Sequence, residues 1–141
     1  MQNPVNPTER ELEILKILWK MGEATVRQVY EEMQAGSAIV QNTVQAFLRT
    51  MEDKGLVTHR VEGRSFVYSP IHRREQTSRH MVHKLLDRVY DGAIDQLVAS
   101  LLSVRQPTDE ELRRLQELVD SAKSRSGDPT NKEGQVHDPD H

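Results

Sequence analysis

Hydrophobic and polar positions change their period along this chain, and the changes mark out its elements. Behind Thr8-Glu9-Arg10-Glu11, residues Leu12, Leu15, Leu18 and Trp19 recur at helical spacing, with Ile14 and Ile17 widening the apolar face. Thr8 fits an N-cap whose box Glu11 closes, and the acidic first turn suits the helix dipole. This helix is expected to end near Met21-Gly22. Thr25-Val26-Arg27-Gln28 is a second capping box, followed by Val26, Val29, Tyr30 and Met33 on one helical face until Gly36 breaks it. Val44, Phe47, Leu48 and Met51 repeat the pattern in a third helix, and Lys54-Gly55 is its stop signal. The period then falls to two. Val57, His59 and Val61 alternate with Thr58 and Arg60, and Phe66 and Tyr68 alternate with Ser65, Val67 and Ser69. Glu62-Gly63-Arg64 between the runs reads as the tip of a half-buried β-hairpin, and Pro70 ends its second strand. Residues 8–70 thus read helix, helix, helix, hairpin, sharing one small core.

Helical periodicity returns from about Arg74. Val82, Leu85, Leu86 and Val89 form a stripe with Met81 and Tyr90 beside it, and Asp91-Gly92 interrupts it. Ile94, Leu97, Val98, Leu101 and Leu102 form a second stripe. A last helix opens at Pro107 with Thr108 as N-cap and Glu111 closing the box, and Leu112, Leu115, Leu118 and Val119 are its apolar face. Three short helices can hardly bury all these faces against themselves, so a matching copy of the chain is expected to cover them as a homodimer. From Ala122 onward the sequence is polar and is expected to be disordered. The expected division is therefore 7–71 and 72–121 as two domains, with 122–141 as a tail. The fold class is mainly α with a small β-hairpin.

Composition narrows the chemistry. The 141 residues contain no cysteine, which excludes disulfides, thiol redox chemistry, cysteine zinc sites and iron–sulfur clusters. With 35% hydrophobic and 4% aromatic residues, the chain can build a small core but not a large one. The opening MQNPVNPTERE lacks the basic-then-apolar pattern of a signal peptide, and no apolar run approaches the ~20 residues that span a bilayer. A cytoplasmic protein without direct membrane insertion is expected. The net charge of −3 does not suggest a polyanionic partner; its distribution points to one, although a modest charge run is more often just a solvated face. Residues 40–74 carry Arg49, Lys54, Arg60, Arg64, Arg73 and Arg74 against Glu52, Asp53 and Glu62, while Glu9, Glu11 and Glu13 sit at the front.

The third helix carries the most informative surface. Opposite its apolar face stand Gln41, Asn42, Thr43, Gln45, Ala46, Arg49 and Thr50, with no carboxylate before Glu52. Gln and Asn can pair with adenine, Arg with guanine, and Thr or Ala can touch the thymine methyl, while an α-helix fits the major groove. An ordinary solvated face is the plainer alternative, although such faces usually mix Glu with Lys. Arg64 at the hairpin tip and Arg60 on its first strand could lie along phosphates or enter a minor groove, or simply solubilise a turn. His80 and His83, with Asp87 a turn on, are spaced to bind zinc or copper in a dimer, but ordinary helix histidines are the better account and no metal or other cofactor is expected. No HExxH motif, P-loop or nucleotide-binding glycine pattern is present, and no acidic pair suggests an enzyme. A protein-docking module and a metal or small-molecule sensor remain as alternatives to DNA reading.

PTERELEILKILW, TVRQVYEEM, NTVQAFLRTMEDKGLV and EGRSFVYSP, followed by LLDRVYDGAIDQLVASLL and TDEELRRLQELVD, resemble the penicillinase-repressor family of the BlaI/MecI type over roughly residues 7–120. The resemblance implies a winged helix-turn-helix domain, a helical dimerisation domain, and repression by dimers on inverted-repeat operators in double-stranded DNA. It places Asn42, Thr43, Gln45, Ala46 and Arg49 in the recognition helix and Arg64 in the wing. Thr25 would start the preceding helix, where its hydroxyl and the N–H groups beside it could hold a phosphate. Some members open the recognition helix with Ser-Pro where this chain has Val40-Gln41. In antibiotic-responsive members a membrane-bound metalloprotease sensor cuts the repressor at an Asn-Phe bond after a Leu-Val-Thr-like segment. The equivalent here is Leu97-Val98-Ala99-Ser100-Leu101, with Ser100-Leu101 as the bond, and both Asn and Phe are missing. Helix core at the dimer interface is the simpler reading of that stretch. Copper-responsive relatives use a C-terminal cysteine cluster, which this chain lacks.

Overall fold

A computed structural model describes residues 6–126. The elements in chain order are α1 (Glu9–Met21), β1 (Ala24–Thr25), α2 (Val26–Gln34), α3 (Gln41–Asp53), β2 (Val57–Glu62), β3 (Ser65–Pro70), α4 (Arg74–Tyr90), α5 (Ile94–Val104) and α6 (Asp109–Ser126). Two compact units divide after Ala93, so α4 groups with the elements before it rather than with α5 and α6. Thr77 of α4 is buried, and the Trp19 indole N–H donates to the His72 carbonyl just ahead of the helix at 3.0 Å. No helix among the described residues is long and apolar enough to cross a membrane.

Local chemistry sets the helix starts. At α1 the Thr8 hydroxyl accepts from Glu11 N–H and the Glu11 carboxylate accepts from Thr8 N–H; Thr25 and Gln28 do the same for α2. Gly22 and Gly55 hold positive φ of 87° and 83° where α1 and α3 turn away, a conformation a side chain would penalise. Helix α3 begins at Gln41 with Val40 as cap residue and no side-chain cap bond, so packing must hold it. Its Val44, Leu48 and Met51 are fully buried against Ile14, Leu15, Leu18, Val29, Leu56, Val57 and Tyr68. Each such aliphatic side chain contributes about 1.5–3 kcal/mol on burial.

Glu11 does more than close a cap. It is 2% exposed, and the Lys54 ammonium lies 2.8 Å and 3.0 Å from its two oxygens, pinning the start of α1 to the end of α3. Burial pushes its pKa up, but the bond from Lys54 and those from Thr8 outweigh this and leave the carboxyl below the usual range.

The sheet differs from the sequence expectation in two ways. It has three strands in the order β1-β3-β2, because Ala24 and Thr25 pair antiparallel with Tyr68 and Val67. A two-residue strand has no periodicity to reveal it. The hairpin is half-buried along its length rather than from face to face. Val57, Val67 and Tyr68 at the base are buried, whereas Val61 and Phe66 toward the tip are 63% and 43% exposed. The strands outrun the helices, so the outer half projects as a wing. Helix α6 runs on to Ser126, into the stretch from Ala122 where disorder was expected. Ala122, Lys123 and Arg125 are good helix formers, and the two cations suit the last turn. The remainder of that tail, 127–141, lies outside the described residues.

Candidate nucleic-acid interface

Positions 41, 45 and 49 fall one helical turn apart, so Gln41, Gln45 and Arg49 form one stripe on α3. The fold faces this stripe with Arg64, Ser65 and Phe66 of the wing and with Thr25, Val26 and Arg27 at the start of α2. Together they enclose an open groove of about 320 Å³. Five residues expected from sequence, Thr25, Gln41, Gln45, Arg49 and Arg64, therefore converge from three elements. Asn42, Thr43, Ala46 and Thr50 are exposed on the adjoining faces of the same helix and do not line the groove. Among the described residues, Arg49 and Arg64 make no ion pair or hydrogen bond, so their cationic ends remain available. The capping box uses the Thr25 N–H and the Gln28 N–H, at 2.9 Å and 3.1 Å, and leaves those of Val26 and Arg27 without an intrahelical acceptor.

Arg60 points elsewhere. Its guanidinium binds Glu23 at 2.9 Å and Glu62 at 3.0 Å, and the hydrogen bonds it donates to Glu62 and then Glu23 raise its pKa. Lys54 is likewise taken by Glu11. The local positive excess over residues 40–74 is thus smaller at the surface than the sequence suggests, because Glu11 and Glu23 reach in from outside that window.

Sequence reasoning missed a cluster on the inner face of the wing. His59 Nδ1 lies 2.8 Å from both carboxylate oxygens of Glu52 on α3, and its ring stacks on Phe66 at 4.1 Å and 17°. Tyr68 stands edge-on to Phe66 at 6.4 Å. Burial, and next the charge of Glu52, raise the Tyr68 phenol pKa. Alternation in β2 and β3 put the three rings on one face, but nothing local pointed to Glu52.

Among the described residues, no group of three or more metal-binding side chains forms around His80 and His83. His83 Nδ1 faces Asp87 at 3.3 Å, whereas the buried Nε2 of His80 has no hydrogen-bond partner among the described residues. Burial, then the nearby Lys84, His83 and His72, lower the His80 pKa.

The apolar stripes of α4, α5 and α6 are largely exposed. On α4, Val82, Leu85 and Val89 are exposed and Leu86 is half-buried. In the second unit Leu97 is buried, but Ile94, Val98, Leu101, Leu102, Leu112, Leu115 and Leu118 are exposed, Leu101 by 61% and Leu118 by 66%. Leu101, Leu102, Val104, Pro107, Leu115 and Leu118 line an open apolar cleft of about 570 Å³ between α5 and α6. The α6 capping box is in place, and Glu111 also takes both guanidinium nitrogens of Arg105 at 3.0 Å and 2.9 Å. Arg105 and the Thr108 N–H lower the Glu111 pKa to about 2. The Ser100–Leu101 bond lies inside α5, with the Ser100 carbonyl accepting from the Ser103 hydroxyl at 2.8 Å.

Three helices with a three-stranded sheet whose hairpin projects beside the third helix define a winged helix-turn-helix protein. The carboxylate-poor groove between helix and wing has the chemistry of a duplex-reading surface. The chain belongs to the penicillinase repressor family, whose model matches residues 7–121. It is 30% identical over 118 residues to the penicillinase repressor of Bacillus licheniformis, covering 84% of this chain and 92% of that relative. It is 18% identical over 109 residues to the methicillin resistance regulatory protein MecI of Staphylococcus aureus, covering 77% and 89%. Among solved structures, the DNA-binding domain of the repressor BlaI is 30% identical and aligns with a TM-score of 0.48 over 54% of this chain and 93% of that one. The monomeric form of Bacillus licheniformis BlaI in complex with the blaP half-operator aligns with a TM-score of 0.47 over the same shares.

Proposed function

We propose that this chain is a DNA-binding transcriptional repressor acting as a homodimer on inverted-repeat operators. The observation that carries the reading is the convergence of Gln41, Gln45 and Arg49 on α3 with Arg64 of the wing across one groove. Helix α3 enters the major groove, where Gln45 and Arg49 read base edges and Asn42, Thr43 and Ala46 supply further contacts. Arg64 meets the backbone or the adjacent minor groove. Thr25 and the N–H groups of Val26 and Arg27 hold a phosphate at the start of α2. Arg60 acts on the wing rather than on DNA.

Dimerisation follows from the bare stripes. A second copy laid on Leu101, Leu102, Leu115 and Leu118 removes apolar surface from water in both chains, and the two α3 helices of such a dimer would read half-sites about one DNA turn apart, roughly 34–36 Å. Release by a membrane-bound metalloprotease sensor cutting Ser100–Leu101 would destroy that cover, although the bond must first unwind from α5. An intact chain after incubation with an induced cognate sensor removes this trigger from the reading.

The test is titration of the full chain with duplex DNA from upstream of its own gene at several salt concentrations. Tight binding whose logarithm falls linearly with the logarithm of salt is expected, since affinity rests on phosphate neutralisation. Equal, weak binding to all duplexes would overturn the reading in favour of a docking module.

A further inference from the structure

The outer half of the wing has no core to seat it, yet it must hold Arg64 opposite Arg49. Among the described residues, two polar ties join it to the rest of the fold, and they come from opposite sides. Arg60 reaches Glu23 at 2.9 Å on one, and His59 reaches Glu52 at 2.8 Å on the other. The second tie adjoins the groove through Phe66. Glu52 sits on α3 one residue short of its end and shares the helix with Arg49. His59 pairs with Tyr68 and Val61 pairs with Phe66, so the His59 and Phe66 rings are diagonal neighbours on one face, close enough to stack at 4.1 Å. Phe66 in turn lines the groove beside Ser65 and Arg64. A continuous line of contact therefore runs from the reading helix through Glu52, His59 and Phe66 to the wing tip.

We infer that His59 is a positioning residue: bonded to Glu52 and stacked on Phe66, it fixes the pitch of the wing against α3 so that Arg64 and Arg49 engage one duplex together. The inference rests on the DNA-reading assignment above. His59 and Glu52 are partly buried and do not line the groove, so they act through Phe66 and Arg64 rather than as DNA ligands. Phenylalanine at 59 preserves ring and stack but loses the bond to Glu52. Glutamine at 52 keeps an acceptor for the imidazole N–H.

The test is a double-mutant cycle on the full chain, titrated with duplex DNA from upstream of its own gene, with thermal unfolding of each variant alongside. In the parent, Arg64→Ala is expected to weaken binding about tenfold, and in a His59→Phe background, already weakened by a similar factor, it is expected to add little. The salt dependence should flatten in His59→Phe as it does in Arg64→Ala, and Glu52→Gln should bind close to the parent while Glu52→Leu resembles His59→Phe. Equal losses from Arg64→Ala in both backgrounds, or parent-like binding by His59→Phe, would overturn the brace while leaving the reading surface in place. Parent-like binding by Arg64→Ala and Arg49→Ala alike would overturn the reading surface and the brace with it. Should His59→Phe unfold early, the Glu52→Leu and Glu52→Gln pair carries the same comparison without altering the wing.

Discussion

The two units of this chain use the same ingredients and end in opposite states. In the first, helical stripes from α1, α2 and α3 close on one another and on the base of the hairpin, so that Ile14, Leu18, Val29, Val44 and Leu48 are wholly out of water. In the second, stripes of comparable strength on α5 and α6 leave nearly every leucine in contact with solvent. The contrast extends to the glutamates that close the capping boxes. Glu11 is buried with Lys54, whereas Glu111 pairs with Arg105 at the surface. A core that is complete in one copy serves to aim side chains. One that is incomplete in one copy leaves apolar surface that the second copy of the proposed dimer would cover.

The largest effect is expected from charges placed in the open stripes. Leu101→Asp with Leu118→Asp should abolish the dimer and lower operator affinity by roughly 10²–10⁴-fold, the loss expected when two linked half-site contacts become independent. Sedimentation equilibrium and a DNA titration check both parts, and the first unit should keep its fold. The converse change, Leu48→Ala, should destabilise the first unit by about 2–5 kcal/mol in denaturant unfolding, because the closed core leaves a cavity where the leucine was.

The two glutamates sharpen the contrast. Glu11→Gln should cost on the order of 2 kcal/mol, less than the ~3–5 kcal/mol of a fully buried pair, because Lys54 keeps 35% of its side chain in water. Its acid dependence follows from the lowered pKa. The contribution is present above the unfolded carboxyl value near 4.3 and is lost as pH falls through the lower folded value. Unfolding followed from pH 6 downward should therefore show a decline that Glu11→Gln removes. Glu111→Gln should shift the same curve least of all, since exposed pairs such as Arg105–Glu111 are screened by water and salt.

Which features could be read in advance follows from the range of the interactions that make them. Caps closed within three residues, as at Thr8, Thr25 and Thr108, were legible, and so were the stripes and the carboxylate-poor face of α3. Features that depend on distant residues were not. Strand β1 exists only because Val67 and Tyr68 come alongside it. Arg60 looked available for DNA until Glu23, 37 residues away, met it, and Lys54, counted in the positive run, is paired with Glu11, 43 residues away. The Glu52 tie to His59 joins a helix to a strand whose meeting angle no local pattern encodes.

Base preference measured on a library of duplexes, for the parent and for Gln45→Ala and Arg49→Ala, reaches the central assignment most directly. If the α3 stripe reads sequence, each variant loses discrimination at one pair of symmetric positions by about 1–3 kcal/mol and keeps the parent's preference at the others. Identical preference profiles for all three proteins would mean that this helix does not touch the bases.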